Sequence, residues 1–265
     1  MAIPFGRASF PELYEKALVG PLFRPWAGAL LDEAALARGD RVLDIACGTG
    51  IVARLAKERV GKAKVVGVDA HAPMIETARS VAPDLDWRTG DAGALPLQEG
   101  EQFDAVLCQQ GLQFFPDRRA AAREMRRALA PGGRLALSTW RPDEELPVLL
   151  ALRRIAERHV GPIADRRHAF GDPATIEALL REAGLNDVRS KTVSRTIRFE
   201  DGAGFVRLNA LALVGMSAGG AKLGDEEREK LLATIVADSA ELVRANSDAQ
   251  GFAYEIRAVV ATARR

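Results

Sequence analysis

The sequence predicts an α/β fold in which a mostly parallel, doubly wound sheet is covered by helices on both faces. Two observations support this prediction. Short apolar runs rich in β-branched residues alternate with helical patterns between residues 41 and 140, which is typical of a parallel sheet buried on both sides. The first apolar run, "VLDIACGTG" (42–50), ends in a loop of small residues where a strand would pass into a helix.

The periodicity of the sequence places the remaining elements in order. Between residues 41 and 140 it predicts strands at 41–46, 63–69, 85–90, 103–110 and 132–140, and helices at 50–60, 72–82 and 117–130. An amphipathic helix precedes them at 10–31. After residue 140 the pattern predicts helices at 145–159, 172–185, 203–215 and 225–246, and strands at 187–199 and 252–264.

Composition narrows the class of protein. The chain has 265 residues, of which 48% are hydrophobic and 28% charged, and its formal net charge is +1, so nothing indicates a nucleic-acid or membrane-surface partner. No stretch approaches the roughly 20 apolar residues of a membrane span, and the N-terminus lacks the order of a signal peptide. We therefore expect a cytoplasmic protein, either a monomer or a homodimer.

Cysteine and histidine usage predicts no disulfide and no metal. Cys47 and Cys108 are the only cysteines, which fits small buried thiols in a reducing compartment. The three histidines, His71, His159 and His168, have no spacing that a zinc site would need.

Three acidic residues fall at the ends of three successive predicted strands: Asp44, Asp69 and Asp91. In an open parallel sheet, ligands bind beyond the carboxyl ends of the strands. Asp69 is placed to accept from ribose hydroxyls, and Asp91 could contact an adenine edge. Gly48 and Gly50 would let the backbone approach the ligand. Each acid alone is equally explained as a turn residue, but three in register favour a nucleotide-like ligand.

The loop itself bears on which nucleotide binds. A dinucleotide loop, G-x-G-x-x-G, would need glycine at Ala46, Gly48 and Ile51, and only Gly48 matches. An acid at Asp44 would repel a pyrophosphate and attract an ammonium group. A ligand with an amino-acid end is favoured, and a nicotinamide dinucleotide stays as an alternative.

These motifs resemble the class I S-adenosylmethionine-dependent methyltransferases, in particular the small-molecule branch with the ubiquinone/menaquinone-type enzymes. The resemblance rests on "VLDIACGTG" (42–50), "VVGVDAHAPMIETAR" (65–79), "GDAGALPL" (90–97) and the segment 103–140, and more weakly on 170–188. It implies a Rossmann-like sheet of seven strands with an antiparallel last strand.

The resemblance also implies roles for individual residues. The first loop, with Asp44, Ala46, Gly48 and Gly50, would hold the methionine part of the cofactor, and Ala46 replaces a usual glycine. Asp69, which ends the second strand, would hold the ribose, and Asp91 with Ala92, after the third strand, would face the adenine. Met74 would pack against the adenine from the second helix, and Ala70 is a further cofactor-binding candidate.

Further candidates come from the fourth strand and the N-terminal helix. Gln109 would face the methionine end, Tyr14 would close over it, and Gln110 and Phe114 would border the acceptor. His168 is a weak candidate for a general base, since no catalytic base is obligatory for transfer from a sulfonium.

We therefore expect one methyltransferase domain over 1–265. It has an N-terminal helical cap (1–35), a cofactor-binding core (36–140), lid elements (141–170 and 203–246) and two last strands (187–199 and 252–264). The predicted function is methyl transfer from S-adenosylmethionine to a small apolar or aromatic acceptor, with oxygen ahead of carbon or nitrogen, leaving S-adenosylhomocysteine. The alternatives are a cofactor-binding protein with a non-methylating or regulatory role, and an NAD-dependent oxidoreductase.

Overall fold

The central feature of the structure, a computed structural model that describes residues 9–265, is one mixed β-sheet. Its strands are β1 (Val42–Ile45), β2 (Val65–Asp69), β3 (Asp86–Thr89), β4 (Phe103–Gln109), β5 (Leu129–Trp140), β6 (Asn186–Phe199), β7 (Ser247–Asp248) and β8 (Gly251–Arg264). The strand order is β3-β2-β1-β4-β5-β8-β6, and the two-residue β7 pairs with β8. The predicted α/β class and the seven main strands are confirmed.

Helices flank this sheet and extend beyond it. They are α1 (Phe10–Tyr14), a π-helix (Glu15–Phe23), α2 (Arg24–Glu33), α3 (Ile51–Val60), α4 (Ala72–Val81), α5 (Arg118–Ala128), α6 (Pro147–Val160), α7 (Pro173–Glu182), α8 (Gly202–Met216), α9 (Asp225–Asp238) and α10 (Ala240–Ala245). None of the helices between residues 9 and 265 is long and apolar enough to cross a membrane.

Strand direction creates a crevice near the middle of the sheet. Strands β1 to β5 run parallel to one another, whereas β8 is antiparallel to both β5 and β6. The chain proceeds outward from β1 to β3 and then crosses back to β4 on the other side of β1. Such a reversal leaves a gap beyond the carboxyl ends of β1 and β4, where ligands bind in open α/β sheets.

Both faces of the sheet are covered by apolar side chains, as the near-continuous hydrophobic strands require. Alternate residues of β1 enter different cores: Leu43 packs with helices α5 and α7, and Val42 packs with α2 and α3. Cys108 belongs to the first of these cores and Cys47 to the second. Both thiols are buried and free, as predicted.

Two predicted helices are interrupted. The N-terminal pattern predicts one helix over 10–31, but Pro21 lies inside it and cannot donate a backbone hydrogen bond. The chain widens there into π geometry, and the Arg24 N–H bonds to the Val19 carbonyl five residues earlier. The pattern over 225–246 is likewise divided at Ser239, between α9 and α10.

Candidate functional site

A cavity of about 780 Å³ lies at the crevice and is lined by residues from both halves of the sheet. Ligand sites typically occupy about 300–1,000 Å³, so this cavity has the size of a small-molecule binding site. All the predicted site residues except Asp44 and Gly50 line it, namely Tyr14, Ala46, Gly48, Asp69, Ala70, Met74, Asp91, Ala92, Gln109, Gln110, Phe114 and His168.

The loop after β1 brings bare backbone to the cavity wall. Gly48 has φ +55°, and a side chain there would meet the Tyr14 ring and hydroxyl at about 4 Å. Ala46 also adopts a left-handed conformation, with φ +56°. Left-handed backbone costs an alanine roughly 1–2 kcal/mol relative to glycine, so the replacement of the usual glycine is tolerated but strained.

Asp69 ties this loop to the end of β2. Its Oδ2 accepts the Gly48 N–H at 2.8 Å, and its Oδ1 accepts the His71 N–H at 2.8 Å. These bonds hold the carboxylate in one orientation at the cavity, and each oxygen retains a further lone pair. The third acid, Asp91, stabilises the turn that it begins, because its Oδ1 accepts the Gly93 N–H at 2.6 Å.

Asp44 has a different position from the one that the sequence suggests. Its side chain is 1% exposed and does not line the cavity. Oδ2 accepts the N–H of Ala53 at 3.0 Å in the first turn of α3, whose N-cap residue, Gly50, has no side chain. Asp44 therefore caps that helix from a distance, using the favourable position of a carboxylate at a helix N-terminus.

The other oxygen of this carboxylate is unsatisfied. Asp44 Oδ1 is buried without a hydrogen-bond partner among residues 9–265. Burial, and then the negative charge of Asp69, raise the pKa of Asp44 well above its usual range, while the Ala53 N–H acts in the opposite direction. Such a group favours a neighbouring cation or donor.

Gly50 serves packing rather than ligand approach. A Cβ built on it would lie 2.2 Å from the Trp87 ring, and one built on Gly67 would lie 2.3 Å from the same ring. The indole thus fits between two glycines, and its Nε1 donates to the Ala82 carbonyl at 2.8 Å. The sequence offered no means of pairing Gly50 with a tryptophan 37 residues later, and Gly50, which was predicted to approach the ligand, is not among the residues that line the cavity.

Two glutamines at the end of β4 provide polar groups at the crevice. Gln109 donates from Nε2 to the Phe23 carbonyl at 3.2 Å, which leaves its Oε1 buried and unpartnered within the described chain. Gln110 has φ +56° and donates weakly to Ser138 Oγ at 3.4 Å. Strained non-glycine residues of this kind cluster at functional sites.

The N-terminal helices cover the cavity on one side. Tyr14 stacks obliquely with Phe23 at a ring-centroid distance of 4.9 Å, and Glu15 pairs with Arg54 of α3 at 2.8 Å. Burial, and then the nearby charges of Asp69, Glu15 and Asp44, raise the pKa of the Tyr14 phenol. Tyr14 is therefore a neutral donor beside the acidic residues.

The far half of the cavity is mostly apolar, although Arg166, Arg167 and His168 also line the cavity, and it is built in part from the predicted cap and lid elements. Its walls belong to the N-terminal helices, β5, β8, α6 and α8, and include Leu22, Phe23, Trp140, Leu149, Phe205, Leu208, Tyr254 and Ile256. Leu208 and the buried polar residue Asn209 come from the predicted lid element 203–246.

His168 enters this apolar half. It is 7% exposed, and its Nδ1 lies 3.1 Å from the Arg141 carbonyl. Because a carbonyl only accepts, Nδ1 carries the proton and Nε2 keeps a lone pair. Burial, and next the charge of Arg167, lower the pKa of His168 to about 4, so the ring is neutral at pH 7.

These features fit a cationic nucleoside such as S-adenosylmethionine. Gln109 lines the cavity with a buried Oε1 that requires a donor, and Asp69 adds a carboxylate at the cavity wall. An ammonium and a sulfonium would complement this charge, whereas a pyrophosphate would be repelled.

Comparison with known proteins agrees with this assignment. A family model described as a methyltransferase domain matches residues 42–133. A 2-phytyl-1,4-naphtoquinone methyltransferase of Thermosynechococcus vestitus is 33% identical over 189 residues, covering 63% of this chain and 82% of that protein. A demethylmenaquinone methyltransferase of Thermus thermophilus is 40% identical over 179 residues, covering 61% of this chain and 81% of that protein.

The fold is also found in a solved structure. Phosphoethanolamine N-methyltransferase 2 of Haemonchus contortus, in complex with S-adenosyl-L-methionine, superposes with a TM-score of 0.56 at 17% identity, covering 99% of this chain and 61% of that chain. With the sequence matches, the chain belongs to the class I S-adenosylmethionine-dependent methyltransferases. Within that class it is of the ubiquinone/menaquinone type. The predicted methyltransferase activity and cofactor are confirmed.

Proposed function

We propose that this enzyme methylates a small apolar or aromatic acceptor, at oxygen in preference to carbon or nitrogen. The observation that carries the proposal is the mostly apolar half of the cavity, in which the neutral His168 has an Nε2 that can accept a hydrogen bond from a hydroxyl group. S-adenosylmethionine, when bound, supplies a methyl group that its sulfonium already activates. The protein then has to bind, align and exclude water.

The cofactor half has a residue for each part of the ligand. We assign the ribose hydroxyls to Asp69, whose carboxylate is held in place by two backbone N–H groups. The buried Oε1 of Gln109 would accept from the ammonium group, and Asp44 would support the same charge from behind the loop. Met74 and Asp91 would border the adenine.

The acceptor half is closed by helices that can exclude water. Phe205 and Leu208 of α8, Leu149 of α6 and the N-terminal helices face one another across the cavity. We propose that these helices act as the lid, with Tyr14 over the cofactor and Phe114, which is 44% exposed, at the rim. Gln110 also lines the cavity.

His168 would orient the acceptor rather than ionise it strongly. A group with a pKa of about 4 is a weak base at neutral pH. Its Nε2 can still accept a hydrogen bond from an acceptor hydroxyl and direct an oxygen lone pair toward the methyl group. Transfer from a sulfonium needs no stronger base.

The names of two relatives support the acceptor class. One is named as a methyltransferase of 2-phytyl-1,4-naphtoquinone and the other of demethylmenaquinone, so both names give a quinone as the acceptor. A ring of this kind matches the aromatic wall here, where Phe23 and Trp140 lie 6.4 Å apart between ring centroids.

The first experiment measures the cofactor and turnover. Thermal melting with S-adenosylmethionine, S-adenosylhomocysteine and NAD in turn should show stabilisation by the two sulfur ligands and none by NAD. Methyl-labelled S-adenosylmethionine is then incubated with phenolic, anilinic and carbon-acidic bicyclic acceptors, and the methylated atom is identified by NMR. Transfer only to carbon, only to nitrogen or only to polar acceptors would contradict the proposal.

The second experiment tests His168. His168→Gln should lower kcat/KM for a phenolic acceptor about tenfold, the worth of one hydrogen bond, with the affinity for S-adenosylhomocysteine unchanged. His159→Gln is the control, because His159 pairs with Asp238 at 2.9 Å and does not line the cavity. Equal effects of the two substitutions would exclude a role for His168.

A further inference from the structure

A buried amide interrupts the apolar surface of α8 where that helix faces the cavity. Asn209 is 5% exposed and lies between Leu208 and Ala210, which are also buried. It lines the cavity in its apolar half, near Phe205. Burying an amide costs free energy unless its polar atoms find partners, so the contacts of each atom indicate what the residue does.

Arg167 determines which way this amide points. The Arg167 Nη2 donates to Asn209 Oδ1 at 3.2 Å. A guanidinium has donors and no acceptor, so the amide oxygen must face it and Nδ2 must face away. No described residue accepts a hydrogen bond from Nδ2, and this atom is not among the polar atoms sealed from solvent. Nδ2 is thus an open donor at the cavity.

Arg167 is itself anchored by an ion pair within the same short segment. Its Nε and Nη2 donate to the two carboxylate oxygens of Asp165 at 2.8 and 2.6 Å, and its backbone N–H donates to Oδ1 at 3.0 Å. The Asp165 side chain is 4% exposed. Burial would raise the pKa of Asp165, but the hydrogen bonds and charge of Arg167 outweigh it and lower the pKa. The Asp165–Arg167 ion pair is therefore already formed before an acceptor binds.

We infer that Asn209 is a specificity-determining residue whose Nδ2 donates a hydrogen bond to an oxygen of the acceptor, and that the Asp165–Arg167 pair positions it. The acceptor is then an apolar ring compound with a carbonyl-type oxygen. The inference rests on the proposed function, because it assigns the acceptor half of the same cavity. His168, next to Arg167 in the chain, adds a hydrogen-bond acceptor, so the pair suits a ring with both a hydroxyl and a carbonyl group.

A purely structural role for Asn209 predicts something different. If the Asn209 amide served only to accept the hydrogen bond from Arg167, Asn209→Asp would leave acceptor binding unchanged, because the aspartate keeps an oxygen for the guanidinium. The same substitution replaces the donor that faces the cavity by an acceptor. It therefore separates the two roles, and Asn209→Leu, which removes both polar atoms, provides a second variant.

The test uses two neutral bicyclic probes that differ by one oxygen. α-Tetralone carries a ring carbonyl, and tetralin is the same ring system without it. Their dissociation constants are measured by calorimetry on the full chain, with and without saturating S-adenosylhomocysteine. We expect the unsubstituted protein to prefer tetralone about three- to tenfold, and both Asn209 variants to lose this preference while binding tetralin as before.

A second asparagine provides the control variant, and two results would overturn the inference. Asn246→Asp should leave the preference intact, because Asn246 caps α10 by donating to the Leu242 carbonyl and is remote from the cavity. No preference in the unsubstituted protein, or a preference that survives Asn209→Asp, would overturn the inference. If the unsubstituted protein did not bind S-adenosylhomocysteine, the proposed cofactor site would be overturned instead. The two failures are distinguishable, because the probes are also titrated without S-adenosylhomocysteine.

Discussion

Gly50 provides a sharp test of how the cofactor loop is packed. The substitution is Gly50→Ala, which adds one methyl group to a residue with φ +89°. That methyl group would lie 2.2 Å from Cη2 and 2.8 Å from Cζ3 of Trp87, which is shorter than any contact that side chains tolerate. The indole also lies against the backbone of Gly67, where a built Cβ would be 2.3 Å from the ring. The ring therefore cannot move aside easily.

The expected loss has two parts. Left-handed backbone costs an alanine about 1–2 kcal/mol, and overpacking a buried ring costs about 1–3 kcal/mol more. Gly50→Ala should therefore lower the free energy of unfolding by roughly 2–5 kcal/mol. Gly39 is a matched control, because it has φ +95° with no atom within 4 Å of a built Cβ. Gly39→Ala should cost the backbone part alone.

The assay is urea unfolding followed by circular dichroism. Each glycine substitution is measured in the unsubstituted chain and in Trp87→Leu, which removes the ring atoms that the new methyl group would meet. In Trp87→Leu the loss from Gly50→Ala should fall to that of Gly39→Ala. Equal losses for the two glycines in the unsubstituted chain, or an undiminished loss in Trp87→Leu, would refute the packing argument.

Three further predictions concern the cavity residues. Asp69→Asn should weaken binding of S-adenosylhomocysteine by about 2 kcal/mol, roughly 30-fold, because it removes the charge that Gly48 and His71 hold in place; an unchanged dissociation constant in calorimetry would move the ribose site elsewhere. His168 has a folded pKa of about 4, below its ordinary value of 6.5, so the unfolded chain takes up its proton first as the pH falls. The free energy of unfolding of the unsubstituted chain, relative to His168→Gln, should therefore decrease between pH 6.5 and 4, by up to about 3 kcal/mol; a difference that stays flat over this window contradicts the shift. Ala46→Gly should raise the free energy of unfolding by about 1 kcal/mol, since it relieves the left-handed strain at φ +56°, and a lower melting temperature would count against it.

The fold was predictable because its signals are local. Apolar strands and amphipathic helices between residues 41 and 140 follow from periods that neighbouring residues share. The breaks at Pro21 and Ser239 were less evident, because a helical pattern continues across both. Their positions depend on backbone hydrogen bonds that the pattern does not encode.

Part of the site was predictable for the same reason. Asp69, Asp91 and Gln109 follow directly from strand ends, which parallel sheets align at one edge. Asp44 and Gly50 belong to the same motif, yet neither lines the cavity. The Asp44 carboxylate accepts a hydrogen bond at the N-terminus of α3, and Gly50 leaves room for the Trp87 ring. Neither contact can be predicted from the motif alone.

The sequence by itself determined the order of strands and helices, the acids at the edge of the sheet and the class of ligand that those acids favour. Only the tertiary structure decided which residues meet in the acceptor half, because those contacts join elements far apart in the chain. Arg167 reaches Asn209 across 42 residues and directs its amide toward the cavity. The orientation of a buried polar group depends on the one partner that satisfies it, and that partner is known only once the chain is folded.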